Sequence, residues 1–208
     1  MIGPSGAGKS TLLGLVAGLL EPWDGEIGVG GQPVRVTDGA RAAARRRVLV
    51  PRQPYVFSGT LRDNLRHLRE DDGVPDAEVS AAAEAVGLGA LLARPGGLDA
   101  AVGPAALTAG ERQLVALARA YLSPAPLVLL DEATCHLDPA AEARAERAFT
   151  ARPGTTLIVV AHRPDSARRA DRALVMEGGH TTCGRHPELL DSSPLPGAGG
   201  VTSPRGPA

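Results

Sequence analysis

Two cysteines, Cys135 and Cys183, stand far apart in a chain of 208 residues, too few and too separated for a disulfide framework or a metal-ligating cluster. A reducing compartment is therefore expected. Net charge is nearly absent: 22 basic against 23 acidic residues give a formal charge of -1. That removes any overall electrostatic drive toward a nucleic-acid backbone, and no nucleic-acid partner is expected. No apolar run approaches the roughly 20 residues that span a bilayer, and no basic segment followed by an apolar core opens the chain. Any link to a membrane must come through a partner. Internal repeats are absent too. What remains is an ordinary globular composition, 43% hydrophobic and 22% charged, in a length that suits one domain with a single core.

Hydrophobic periodicity and turn residues give the order of elements. A glycine-rich turn over residues 3–10 opens a largely apolar helix from Ser10 to Leu20. Glu26 to Val36, broken by Gly30-Gly31 and Pro33, predicts two small strands and a turn, and Val48–Val50 a buried strand. Thr60 to Leu92 is helical in pattern, interrupted by Gly73 and Pro75. An amphipathic helix follows from Gly110 to Leu122, then a continuous apolar strand, Leu127–Leu130. A helix near Pro139–Phe149, a strand Thr155–Val160, a helix near Asp165–Arg169 and a strand Ala173–Met176 complete an alternating β/α order. Such an order predicts an α/β fold with a mostly parallel sheet covered on both faces. The run Arg41, Arg45, Arg46, Arg47 is expected to be a solvated face. Beyond Leu190 the Ser, Pro and Gly composition predicts a flexible tail, residues 191–208.

Gly3-Pro4-Ser5-Gly6-Ala7-Gly8-Lys9-Ser10-Thr11 fits the phosphate-binding pattern G-x-x-x-x-G-K-[ST]. Backbone N–H groups and a helix N-terminus can cradle phosphates there, Lys9 can reach the β- and γ-phosphates, and Ser10 offers a hydroxyl to Mg²⁺. The predicted ligand is a nucleoside triphosphate. The strand Leu127–Leu130 ends in Asp131-Glu132, two carboxylates at the edge of the sheet where open α/β folds bind ligands. Asp131 is the expected Mg²⁺ ligand and Glu132 the base that polarises the attacking water.

Leu107-Thr108-Ala109-Gly110-Glu111-Arg112-Gln113 resembles the signature motif of ATP-binding cassette proteins. Thr108 keeps the hydroxyl and Gly110 the glycine, while Ala109 and Glu111 depart from the pattern. Thr134-Cys135-His136-Leu137-Asp138-Pro139 is similar to the D-loop of the same family, and Val159-Val160-Ala161-His162-Arg163 to its switch-histidine segment. Pro51 to Leu65 resembles the Q-loop and the stretch after it, especially in exporters. Here Arg52 stands where the family has its Mg²⁺-sensing glutamine, with Gln53 one residue later. Either Gln53 takes that place, or the contact is altered and an arginine near Mg²⁺ weakens hydrolysis or its coupling to transport.

The resemblance implies a P-loop NTPase fold over residues 1–190, with an inserted helical subdomain at about 60–122 and the family's N-terminal strands missing. The strand feeding the phosphate loop is expected to be nearly absent, leaving a central sheet position unfilled, as in a truncated reading of a longer chain. ATP would be held between residues 3–11 of one subunit and Thr108, Ala109, Gly110 and Glu111 of another. Asp138 would contact the opposite subunit, Gln53 would reach the nucleotide and Mg²⁺, and Glu132, His162 and Lys9 would carry the chemistry. The implied function is an ATPase domain that powers a transporter, in most respects an exporter. Its partners would be a second such domain, identical or not, and a transmembrane domain that holds it at the cytoplasmic face of the cell membrane. Two other readings are a soluble family ATPase in DNA repair or on ribosomes, and a remnant that no longer hydrolyses ATP. Relatives of the soluble kind usually carry coiled-coil insertions or paired cassettes, and neither is present in this sequence.

Overall fold

The uninterrupted apolar run at residues 127–130 becomes the middle strand of the sheet. The computed structural model describes residues 1–38, 43–69, 73–161 and 163–185. Strand β6 (Leu127–Asp131) pairs in parallel with β3 (Arg47–Val50) on one side and β7 (Thr156–Val160) on the other. Its side chains alternate between two apolar layers, as the period of a strand requires. Leu127 and Leu129 face Leu13 and Ala17 of α1 (Lys9–Ala17), together with Val160. Val128 and Leu130 face the larger core, which contains Val115 and Leu117 of α5 (Ala109–Leu122) and Phe149 of α6 (Pro139–Ala151). Helices on both faces explain why the strand has no polar residue before Asp131.

Between β4 (Gly59–Thr60) and β6 the chain is mostly helical: α2 (Leu61–Arg66), α3 (Asp76–Val86), α4 (Gly89–Leu92) and α5, with the short strand β5 (Ala101–Val102) paired to β4. Thr60 opens α2 with a capping box in which Asp63 answers its backbone N–H. Helices α2 and α3 pack against α5. Arg119 of α5 is drawn into this contact: its guanidinium donates to Asn64 O at 2.7 Å, Asn64 Oδ1 at 3.1 Å and Tyr55 O at 3.0 Å. Burial lowers its pKa to about 10, and three acceptors compensate the desolvation.

The chain start occupies the slot between β7 and β8 (Arg172–Glu177). Ile2 bridges Val175 in parallel, the Ile2 N–H donates to Leu174 O at 2.9 Å, and Met1 O accepts from Ala161 N at 3.0 Å. The central position expected to be unfilled is thus held at its loop-proximal end by two residues. Strand β8 continues into β9 (His180–Arg185) as an antiparallel hairpin. Its two-residue turn, Gly178-Gly179, has φ of 55° and 80°, the pair of positive angles that a type I′ hairpin needs. A small hairpin, β1 (Gly28–Val29) with β2 (Gln32–Pro33), matches the two short strands expected there.

Two expectations need correction. Helix α1 ends at Ala17 rather than Leu20, because Gly18 adopts φ 75° and closes the helix, which leaves Leu19 and Leu20 exposed. Arg47 is not part of a solvated face: it is buried, and its Nε donates to Ala17 O at 2.7 Å, tying β3 to the end of α1. Arg41, His162 and the tail 191–208 lie outside the described residues. Among the described residues no helix is long and apolar enough to cross a membrane.

Candidate nucleotide site

The phosphate loop runs from the Ile2 bridge into α1 through three glycines at positive φ, Gly3 (152°), Gly6 (81°) and Gly8 (90°). Gly3 is required by space as well as angle, since a Cβ there would lie 2.2 Å from Met176 O. Replacing Gly3 by Ala is expected to push the loop off β8 and lower stability by about 1–3 kcal/mol, measured by denaturant unfolding. Pro4, Ser5 and Gly6 are exposed at the top of the loop, with Ala7 half-buried behind them. Lys9 folds back over the loop, and its Nζ donates to Gly3 O and Pro4 O, both at 2.8 Å. The ammonium therefore lies inside the ring of backbone that would surround a phosphate, with two carbonyls as its present acceptors. Thr11 is exposed on the first turn of α1.

Ser10 links this loop to the acidic strand end: its Oγ donates to Asp131 Oδ1 at 3.0 Å. A hydroxyl and a carboxylate oxygen brought this close at the helix start form the oxygen-rich, hard donor set that Mg²⁺ prefers. Glu132 follows Asp131 with φ 52°, the one non-glycine residue at positive φ among the described residues. A left-handed non-glycine residue is strained and tends to occur where function requires it. This angle turns the chain sharply at the end of β6. The Glu132 side chain is 14% exposed and forms an ion pair with Arg52, Oε2 to Nη1 at 3.0 Å. Gln53, the alternative metal and nucleotide ligand, is exposed one residue further on.

The signature-like segment opens α5 with a capping box. Thr108 Oγ1 accepts from Glu111 N at 3.2 Å, and the Glu111 carboxylate accepts from Thr108 N at 2.8 Å and Thr108 Oγ1 at 3.0 Å. Arg94 also contacts Glu111. Burial pushes the Glu111 carboxyl up, but the bonds from Thr108 and the Arg94 charge outweigh it and hold the group below its ordinary value. Glu111, a departure from the family pattern, thus caps the helix with its own charge. Ala109 and Gly110 form the first turn, and Gly110 is small because His136 O lies 3.3 Å from where its Cβ would be. Asp138 caps α6, accepting from Ala140 N and Ala141 N at 2.9 Å each, with Pro139 at the first helical position.

Two constellations could not be read from the sequence. Gln113, fully buried, donates from Nε2 to Arg52 O at 3.4 Å and to Cys135 Sγ at 3.2 Å, while its Oε1 accepts from His136 N at 2.9 Å. One amide thus joins the signature helix, the Arg52 loop and the Cys135-His136 loop. Arg163, next in sequence to His162, donates to Glu142 Oε2 at 2.6 Å and to Leu137 O at 2.9 Å, and Glu146 accepts from Ser166 Oγ at 2.6 Å and Arg169 Nε at 2.7 Å. This polar cluster ties the loop before α6 to α7 (Pro164–Arg168). The signal for both was the position of polar residues on otherwise buried helix faces.

A glycine-rich loop at a helix start, with a strand-end carboxylate pair beside its hydroxyl, defines an α/β nucleotide-binding domain of the P-loop NTPase class. Residues 1–135 match the model of the ABC transporter family, and the chain belongs to that family as an ATP-binding domain, a type of domain that acts as an ATPase. It is 62% identical over 195 residues to the ABC transporter ATP-binding protein RamB of Streptomyces coelicolor (strain ATCC BAA-471 / A3(2) / M145), covering 94% of this chain and 31% of that protein. The mycobactin import ATP-binding/permease protein IrtB of Mycolicibacterium smegmatis (strain ATCC 700084 / mc(2)155) is 44% identical over 184 residues, covering 86% of this chain and 31% of that protein. Among solved structures, a bacterial Atm1-family ABC exporter with ATP bound superposes with a TM-score of 0.81 at 35% identity, over 92% of this chain and 34% of that one. The chain thus spans about a third of the length of these relatives.

Proposed function

We propose that this domain binds Mg²⁺-ATP and hydrolyses it to drive a membrane exporter, working as a dimer of ATP-binding domains. The observation that carries the reading is the Ser10–Asp131 contact at 3.0 Å, which sets the phosphate loop beside the acidic strand end and so supports a metal and a base position next to the phosphates. Residues 3–11 surround the phosphates with N–H groups. Lys9 leaves its carbonyl partners for the β- and γ-phosphate oxygens. Ser10 and Asp131 would hold Mg²⁺, which when bound neutralises charge on the phosphates. Glu132 takes a proton from a water molecule as that water's oxygen bonds to the γ-phosphorus, and the bond from that phosphorus to the β,γ-bridging oxygen breaks. His162 supports the water and the γ-phosphate in this reading.

The other half of the site comes from a second subunit, through the start of α5. Thr108, Ala109 and Gly110 present a hydroxyl and N–H groups to the γ-phosphate. Glu111 turns aside as the phosphate arrives, because its carboxylate accepts from the Thr108 N–H and hydroxyl. Asp138 and Gln53 lie at the subunit junction and at the edge of the site. Exposed Tyr55 and the loop around it face the transmembrane partner, which holds the domain at the cytoplasmic face of the membrane. A Ser10→Ala variant tests the metal position: the Mg²⁺ concentration for half-maximal turnover is expected to rise about tenfold, since one hydrogen-bonding or coordinating group is worth about 1–2 kcal/mol. An unchanged Mg²⁺ requirement would remove Ser10 from the metal site.

A further inference from the structure

Strands β3 and β6 pair in parallel with Val50 opposite Leu130. Two residues beyond that pair on each strand stand Arg52 and Glu132, so the register itself brings the two side chains together at the ligand edge of the sheet. The Arg52 guanidinium reaches the Glu132 carboxylate, Nη1 to Oε2 at 3.0 Å. The backbone of Arg52 is fixed from below, where the buried Gln113 donates to its carbonyl at 3.4 Å and is itself anchored by His136 N at 2.9 Å. The side chain of Arg52 is 62% exposed and that of Glu132 14%. The arm that makes the pair is therefore in solvent, while the carboxylate it holds is nearly enclosed.

We propose that Arg52 is a positioning residue that holds Glu132 in a resting orientation and so slows ATP hydrolysis at this site. The inference rests on Glu132 being the group that takes the proton from water. A carboxylate oxygen 3.0 Å from a guanidinium nitrogen is drawn toward that cation by charge, so it is not aimed at a water molecule by the γ-phosphate. Turnover requires Arg52 to swing away. A glutamine at residue 52 carries no charge and would remove this ion pair from the carboxylate. Because the arginine is so exposed, the pair holds weakly and is screened by salt, and the brake is expected to be modest.

The test is steady-state Mg²⁺-ATP hydrolysis by the full-length protein with Arg52→Gln, Arg52→Lys, Glu132→Gln and the double variant Arg52→Gln/Glu132→Gln. Arg52→Gln is expected to raise kcat about two- to fivefold with KM for ATP unchanged, and Arg52→Lys to stay near the original rate. The double variant is expected to be as inactive as Glu132→Gln, because Arg52 acts only through that carboxylate. An unchanged or lower kcat in Arg52→Gln, with Glu132→Gln inactive, would overturn the inference alone, and a lower kcat would make Arg52 a stabiliser of phosphate charge. Full activity in Glu132→Gln would remove Glu132 from the mechanism and overturn both readings. Thermal midpoints of all variants, expected within a few degrees of the original because residue 52 is exposed and Glu132→Gln keeps the size of the side chain, separate these outcomes from loss of fold.

Discussion

Replacing Glu132 by Gln is expected to lower ATP turnover by about 10²- to 10⁴-fold while ATP binding is retained. The amide keeps the size of the side chain and the turn at φ 52°, but cannot take up the proton that leaves the attacking water. Residues 3–11, Ser10 and Asp131 are untouched, so the phosphates and their charge are held as before. Equilibrium binding of ATP and multiple-turnover hydrolysis, measured on the same preparation, separate the two effects. Loss of binding together with turnover would assign Glu132 to the architecture of the loop instead.

The second large effect is on stability. Replacing Arg163 by Met is expected to cost about 2–3 kcal/mol, discounted from about 3–5 kcal/mol for breaking a fully buried pair, because Arg163 is itself 37% exposed. The buried carboxylate of Glu142 would keep only its 3.5 Å contact with Arg169, with Glu146 beside it. Burial raises the Glu142 pKa above its ordinary value of 4.5, Glu146 raises it further, and Arg163 and Arg169 oppose both. The folded state therefore holds more protons than the unfolded one in the window just above 4.5, and stability falls as pH rises through it. Without Arg163 that window extends upward. The deficit of the variant is thus expected to be small near pH 4 and full at pH 7, which denaturant unfolding at both values would register.

The geometry of the candidate site was legible because a phosphate loop draws its residues from one short stretch of sequence. Gly3 to Ser10 must form one turn and one helix start, and Asp131-Glu132 must end one apolar strand. The strand itself declared its burial through four consecutive apolar residues with no turn signal. Contacts that depend on register were not legible. Nothing in Pro51-Arg52-Gln53 says that Arg52 will lie opposite Glu132 until β3 is known to pair with β6 at Val50 and Leu130. The burial of Arg47 depends similarly on where α1 stops, and that stop rests on Gly18, whose Cβ would lie 2.4 Å from the Arg47 guanidinium. Strand β9 was missed because His180 to Arg185 is exposed on nearly every residue and has no apolar alternation. Its Gly178-Gly179 turn was the available signal.

Glu111 connects the sequence and structural readings of the signature segment. In the sequence it is a departure from the family pattern, and in the structure its carboxylate accepts from the Thr108 N–H and hydroxyl at the helix start. In the proposed dimer, ATP would displace this carboxylate before it gains the Thr108 N–H and hydroxyl.

The central claim, that this chain turns over ATP at the site built from residues 3–11 with Asp131 and Glu132, is tested most directly by steady-state ATP hydrolysis with Mg²⁺ on the chain extended upstream of Met1. The account predicts Mg²⁺-dependent turnover on the order of 1 per second or faster that stops when Mg²⁺ is chelated. Binding of ATP without turnover, in a preparation folded by thermal unfolding, would contradict it and favour a domain that binds nucleotide without hydrolysing it.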